Sequence, residues 1–368
     1  MWIALSLLGF IFLIFVHEFG HFIAARFFKV TVEEFGFGIP PRIRTLFKQG
    51  GTTFTLNAIP FGGFVRLKGE NAETDRERTA AGSFSRASLF GRSVILLAGV
   101  FMNFLFAVLV FAIGFSFLHW VPSYYTLEDM VDASARGEIH FVPGVMINEI
   151  LPNGTAAIAN VPAGSLLLKV DDTEVKSPQD VSRLQEGKSK VTYTLLSTPE
   201  ATVEEKITVT LNEGKTGVAL STYPRELSVP SHGIGTSLVL ALRETWLVSR
   251  QTVIGIGQLL HTITFEQRIP PDVKGVIGIA RIGRDTVQEG WMHYVRLLAQ
   301  LSLSLAIFNV LPFPALDGGR LLFVLVEGVL RRPVNRRFEL VTHAVGFALL
   351  LLLIIAVTYN DIVDLFWN

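Results

Sequence analysis

Four stretches of this chain are apolar enough, and long enough, to predict membrane-spanning helices. Residues 93–118, 297–316 and 340–358 contain no Asp, Glu, Lys or Arg, and a helix needs about 18 or more largely apolar residues to cross the hydrocarbon of a bilayer. The run Trp2–Val16 is shorter, but HEFGHFIAARFF prolongs it. It has neither the basic start nor the small-residue cleavage site of a secretory signal, so it is expected to remain as a helix. The predicted spans are about 2–23, 93–118, 295–316 and 339–358. In residues 238–262, Val239, Leu242, Trp246, Val253 and Leu260 make one helical stripe, with Arg243, Glu244 and Arg250 among them. Each charge held in mid-membrane costs roughly 2.5–3.5 kcal/mol. A helix lying on the membrane surface therefore fits better than a fifth span.

Between the second and third spans the periodicity changes. From Val145 to Ser221, segments such as VTYTLLS and KITVTLN alternate apolar and polar positions, as half-buried strands do. This predicts a small β-rich domain over 143–222, reached by a connector at 119–142 and left by a linker and surface helix over 223–293. TTFTLNAIPFGGFVRLK, 52–68, alternates in the same way. It is read either as a hairpin dipping toward the membrane or as an ordinary cytoplasmic one. Residues 1–118 and 294–368 would then form the two parts of the membrane domain.

Composition agrees with the pattern. Half the residues are hydrophobic and 17% are charged, against about 25% charged in ordinary soluble domains. The 29 Phe suit lipid-facing surface better than a soluble core. A net charge of zero and no basic tract argue against a nucleic-acid partner. With no cysteine there is neither a disulfide framework nor a thiolate metal ligand. Residues 23–92 hold 11 basic against 6 acidic side chains, and 317–338 hold five Arg against two acids, whereas 119–293 hold 15 basic against 20 acidic. Positively charged connections stay in the cytoplasm. The expected fold is a polytopic α-helical membrane protein with four transmembrane helices, both termini outside, a membrane-associated β-hairpin and an inserted β-rich domain.

One segment of the first span carries chemistry. HEFGH at 17–21 puts His17 and His21 one turn apart on one helix face, where both imidazoles can reach a single zinc ion. Glu18 beside them is placed as general base, because zinc lowers the pKa of a bound water to about 7. Ionisable groups inside a span are costly and usually functional. A catalytic zinc commonly has a third protein ligand, and the best candidate is Asp317 in NVLPFPALDGGR, an acid directly after an uncharged span. Pro312 and Pro314 break the helix there, and Gly318 and Gly319 permit tight backbone geometry. About 15 residues precede His17, or about 22 Å of helix, which sets HEFGH in the inner part of the first span. Four spans bring Asp317 to that same side; a fifth would not. Of the other histidines, His343 is expected to hydrogen-bond between helices, and His119, His140, His232, His261 and His293 need no special role.

Together, HEFGH in the first span, NVLPFPALDGGR after the third and the domain between them resemble the site-2 protease family of intramembrane zinc metalloproteases, in its bacterial branch that includes the sigma-E regulator protease. GFG at 36–38, IPFGGFVRLKG at 59–69 and VKGVIGIA at 273–280 are further family-like pieces. The resemblance implies zinc held by His17, His21 and Asp317, with Glu18 as base. It implies substrate contacts from Asn309, Asn103 and the hairpin around Gly62 and Gly63, with 52–68 or its neighbour 35–38 supplying an edge strand. Asn103 follows Ala98-Gly99-Val100, where the family has Ala-Gly-Pro. NGTAAIANVPAGSLLLKVDDTEV, 153–175, is similar to a PDZ domain, departing at Asn160 and Ser165, which implies a peptide ligand. The implied activity is hydrolysis of peptide bonds in or near transmembrane segments of single-pass proteins, in the inner membrane of a bacterium. Two rivals remain: a membrane-anchored zinc protease acting on soluble or misfolded proteins, and a non-enzymatic PDZ-bearing scaffold. An intact HEFGH with Asp317 weighs against the scaffold.

Overall fold

The structure, a computed structural model, describes every residue except 1, 71, 73, 125, 199–200, 213, 267–269, 271–272, 333 and 368, and omits the side chains of 2–4, 60–61, 75, 127, 276 and 364–367. The chain forms two compact units. The first comprises residues 1–118 and 233–368, and the second is the insert 119–232.

The first unit opens with α1 (Trp2–Phe27). Lys29 ends it in the left-handed region at φ +59°, and the Val30 N–H closes back on the Ala25 carbonyl at 2.8 Å. That closure satisfies carbonyls the helix end would otherwise leave unpaired. Strands β1 (Val32–Gln49) and β2 (Thr52–Leu67) follow. Both double back on themselves, at Pro40-Pro41 in one and around Gly62 (φ +116°) in the other. Phe35 accordingly has Val65 on one side and Phe54 on the other, while residues 62–67 pair only with 32–37 and form an edge. The hairpin expected within 52–68 is therefore half of a larger sheet that also takes in 32–49. After the short α2 (Asp75–Thr79), α3 (Leu89–Phe117) starts at Ser88, whose hydroxyl accepts from the Gly91 N–H at 3.0 Å.

The inserted unit holds α4 (Leu127–Ala135), β3 (His140–Ile150), α5 (Thr155–Ile158), β4 (Ser165–Val170), β5 (Thr173–Glu174), α6 (Pro178–Gln185), β6 (Lys190–Leu196), β7 (Glu204–Thr210) and β8 (Val218–Ser228). Its sheet runs in the order β7-β6-β4-β3-β8, with β5 against β4. The alternation seen in the sequence buries Val191, Tyr193 and Leu195 of β6 with Val145, Ile147 and Leu167 in one core. Residues 223–228, expected in a linker, are strand, because His140–Gly144 extend β3 to pair with them. A second small cluster of Ala133, Ile139 and Phe141 ties α4 to the same body.

The chain returns to the first unit with α7 (Ile234–His261), α8 (Val276–Glu289), α9 (Trp291–Val310), α10 (Asp317–Leu330) and α11 (Arg336–Trp367). Helix α7 is amphipathic, as its sequence predicts. The stripe Val239, Leu242, Trp246, Val253 and Leu260 is exposed, while Leu240, Ala241 and Glu244 are buried. Arg296 of α9 reaches Glu244 at 2.8 Å, so a charge that looked like a bar to burial is paired inside the bundle.

Among the described residues, three helices are long and apolar enough to cross a membrane: Leu5–Phe27, Leu89–Phe117 and Arg336–Val363. Helix α9, expected as a fourth over 295–316, is not among them. It stops at Val310, since prolines at 312 and 314 cannot continue it, and Arg296, Ser302 and Asn309 dilute its hydropathy. It runs in the same sense as α1. Tyr294 near its start donates to the Leu5 carbonyl at 2.8 Å, Ser302 midway donates to the Asn103 carbonyl at 3.0 Å, and Asp317 past its end meets His17.

Candidate metal centre

The i, i+4 spacing on α1 brings the His17 and His21 rings to a centroid separation of 4.8 Å, with their Nε2 atoms 3.2 Å apart. Into the gap comes one carboxylate oxygen from 300 residues away: Asp317 Oδ2 is 2.9 Å from His17 Nε2 and 3.2 Å from His21 Nε2. A tetrahedral zinc with nitrogen ligands at about 2.0–2.1 Å has ligand-to-ligand edges of about 3.3 Å. The triangle of 2.9, 3.2 and 3.2 Å is therefore close to the face such an ion would occupy. The tautomer agrees. His21 Nδ1 lies 2.8 Å from the Ile95 carbonyl, which only accepts, so Nδ1 carries the proton and Nε2 presents a lone pair to the gap.

The space between the two imidazoles and α3 exists because residue 99 is glycine. A Cβ there would lie 2.5 Å from His21 Nε2 and 2.8 Å from His17 Nε2. The carboxylate is presented by a turn, residues 311–316, in which Ala315 sits at φ +79°, a conformation that costs a non-glycine residue on the order of 1 kcal/mol or more. The turn packs so tightly on α10 that a Cβ at Gly318 would fall 2.2 Å from the Leu311 carbonyl oxygen.

Beside the triangle opens a cavity of 440 Å³, walled by Glu18, Phe64, Leu67, Asn309 and Arg320 among others. Its floor holds the imidazoles, 5% and 8% exposed as residues, and one wall is the edge segment of β2. Arg320, one turn beyond Asp317, is ion-paired with Glu70, which follows β2. That pair ties α10 to the end of the sheet.

The Peptidase family M50 profile matches residues 5–353. The chain is 31% identical over 373 residues to the "Putative zinc metalloprotease FN1322" of Fusobacterium nucleatum, covering 99% of this chain and 98% of that one. It is 30% identical over 365 residues to the "Putative zinc metalloprotease CPE1693" of Clostridium perfringens, covering 99% of each. With the "Zinc metalloprotease RasP" of Geobacillus kaustophilus it shares 27% identity over 440 residues, covering 96% of each. The chain belongs to peptidase family M50. It is a zinc metalloprotease of a membrane, and the family match takes in residues 5–118 and 233–353 of the first unit and the whole insert.

Within this M50 chain, the residues expected at the site separate into three groups. His17, Glu18, His21, Asp317 and Asn309 come together around the cavity. One amide N–H of Asn309 is donated to the Leu305 carbonyl at 3.0 Å, and the residue lines the cavity. Gly63 abuts Glu18, where a Cβ would be 3.4 Å from Glu18 Cγ, but the cavity wall itself begins at Phe64. Gly62 faces Ile39 instead and serves the bend of the sheet, not the cavity. Asn103 is a correction of another kind. It is fully buried behind His17, with its amide nitrogen 3.4 Å from His17 Nδ1 and its Oδ1 without a partner. Turning the amide by half a revolution makes Oδ1 the acceptor of the His17 Nδ1–H. Asn103 thus orients His17 and does not line the cavity. Gly99 stood in the sequence only as part of Ala98-Gly99-Val100, with no role assigned, and nothing there pointed to the Ile95 carbonyl or the Glu70–Arg320 pair, because each acts through a neighbour distant in the chain.

Proposed function

We propose that this M50 protease hydrolyses peptide bonds in or near the transmembrane segments of single-pass proteins, with His17, His21 and Asp317 as zinc ligands and Glu18 as general base. The ligand triangle carries the reading. Zinc held there supplies a Lewis acid for the scissile carbonyl and an acidified water at neutral pH. Glu18, on the same helical turn as His17, takes up the proton, and the amide of Asn309 is available to the developing oxyanion. A helical substrate shields its own peptide bonds and must unwind. The unpaired edge at residues 62–67 offers backbone hydrogen bonds to the unwound strand alongside the cavity.

Four spans with both termini outside fit this reading. Helix α9 has 20 residues, about 30 Å of rise, enough for the hydrocarbon. Its polar residues are spent inside the bundle, Arg296 on Glu244 and Ser302 on the Asn103 carbonyl. Its parallel course with α1 requires that α7 make no net crossing. The site then faces the cytoplasmic side of a bacterial inner membrane, and the insert lies outside. We read the insert as PDZ-like, with α6 and the edge strand β8 as the place for a peptide ligand. The rival protease of soluble proteins shares the ligands but has no need of a strand edge beside them.

The test uses full-length protein in detergent. Wild type should hold one zinc and cleave a transmembrane peptide. Glu18→Gln should lower kcat by about 10²–10⁴-fold while keeping its zinc, and His21→Ala and Asp317→Ala should both lose the metal. Cleavage of casein but never of the transmembrane peptide would favour the rival.

A further inference from the structure

Two of the three metal-facing side chains ride on a continuous helix; the third does not. His17 and His21 are fixed by α1, whereas Asp317 is the first residue of α10 and takes its position from the turn before it. That turn has little backbone bonding of its own. Pro312 and Pro314 have no N–H, the Leu311 N–H goes to the Phe308 carbonyl of α9, the Phe313 N–H to the Leu311 carbonyl and the Leu316 N–H to the Phe313 carbonyl. The remaining N–H, at Ala315 in its left-handed conformation, is accepted by His343 Nδ1 of α11 at 2.8 Å. Three residues further along the same face of α11, Gly346 leaves the room that Pro314 fills. A Cβ there would stand 2.4 Å from Pro314 Cβ and 2.6 Å from the Pro314 carbonyl oxygen. From the other side, Phe323 of α10 sets its ring 5.4 Å from the His343 ring, between centroids.

We propose that His343 and Gly346 form a cradle on α11 that fixes the Pro314–Ala315 turn, so that His343 is a positioning residue for the Asp317 ligand. His343 touches neither metal nor substrate. It holds a strained backbone two residues ahead of the carboxylate, and a ligand displaced by a fraction of an ångström no longer completes the triangle. An ordinary interhelical hydrogen bond would join two regular helices; this one joins a helix to the irregular turn that leads into Asp317. The inference rests on the reading of His17, His21 and Asp317 as the ligand set.

The experiment measures zinc affinity by chelator competition and the visible absorption of the Co(II)-substituted protein, on full-length wild type, Asp317→Ala, His343→Leu, His343→Asn and Gly346→Ala, with helix content followed by circular dichroism. His343→Leu removes the acceptor, and Gly346→Ala pushes on the turn with His343 intact. Each should weaken zinc binding roughly 10–100-fold, as loss of an outer partner of a ligand typically does, and should change the cobalt bands. In His343→Asn the introduced amide oxygen can take the place of Nδ1, so this variant should stay within about threefold of wild type, well inside that range. Wild-type affinity and an unchanged cobalt spectrum in both His343→Leu and Gly346→Ala would overturn the cradle. So would a folded His343→Asn as weak as His343→Leu. Should His343→Leu lose its helix content, Gly346→Ala and His343→Asn still decide. If Asp317→Ala keeps its zinc, the ligand assignment itself fails; if Asp317→Ala loses zinc and the two cradle variants do not, only the cradle does.

Discussion

His17 is held from two sides, by the metal position at Nε2 and by Asn103 at Nδ1. An acceptor behind a ligating imidazole fixes its tautomer and orientation. Asn103→Leu should therefore weaken zinc binding by about tenfold or more, while Asn103→Asp, which offers only acceptor oxygens, should bind zinc about as well as wild type. Competition with a chelating dye measures both. Wild-type affinity in Asn103→Leu would dismiss the orienting role. The same residue shows the limit of motif reading. Asn103 was legible as a residue of the site from its place in the second span, but not which way it faces, because that depends on where α3 crosses α1.

At the scale of elements, the sheet of β1 and β2 was only half legible. Alternation marked 52–68 as strand, yet the partner at 32–49 contains Pro40, Pro41 and two glycines and reads poorly as a strand. The doubling back leaves residues 62–67 as the edge by the cavity. If a substrate adds there, backbone amides of 62–67 should become protected from hydrogen exchange when Glu18→Gln binds an uncleaved transmembrane peptide, and those of 53–56, already paired on both sides, should not change. Equal protection in both segments, or in neither, would remove the edge from the mechanism. In the insert, the caps and turns carry the charge dependence. The Lys188 ammonium at 2.7 Å and the Thr192 N–H hold the Asp171 carboxyl below its ordinary range. The Lys176 N–H and the Ser177 cap do the same for Asp180. A carboxyl whose folded pKa is depressed stabilises the fold above the ordinary Asp value of about 4, and that stability is lost as pH falls through the lowered value. The thermal transition of the insert should thus move down on acidification below about pH 4, and by less in Asp171→Asn. An equal shift in both would contradict the assignment to Asp171.

For the whole molecule, the question is which side of the membrane each unit occupies. The absence of cysteine makes the test clean. Lys188→Cys, in the insert, should react with a membrane-impermeant maleimide in intact cells. Arg332→Cys, in the connection between α10 and α11, should react only after lysis. Labelling of Arg332→Cys from outside would invert the topology and put the site on the wrong face.

The sequence by itself determined what local pattern can carry: the helical spacing of His17, Glu18 and His21, the apolar helices, the alternating strands of the insert and an acid where no solvated acid was expected. Those features depend on residues within a turn or two of each other. Only the tertiary structure decided that Asp317 completes a triangle with α1, that Gly99 makes room for it, and that Arg296 pairs with the buried Glu244 of α7. Each of these is set by a contact between segments tens to hundreds of residues apart, and no periodicity in one segment records the shape of the other.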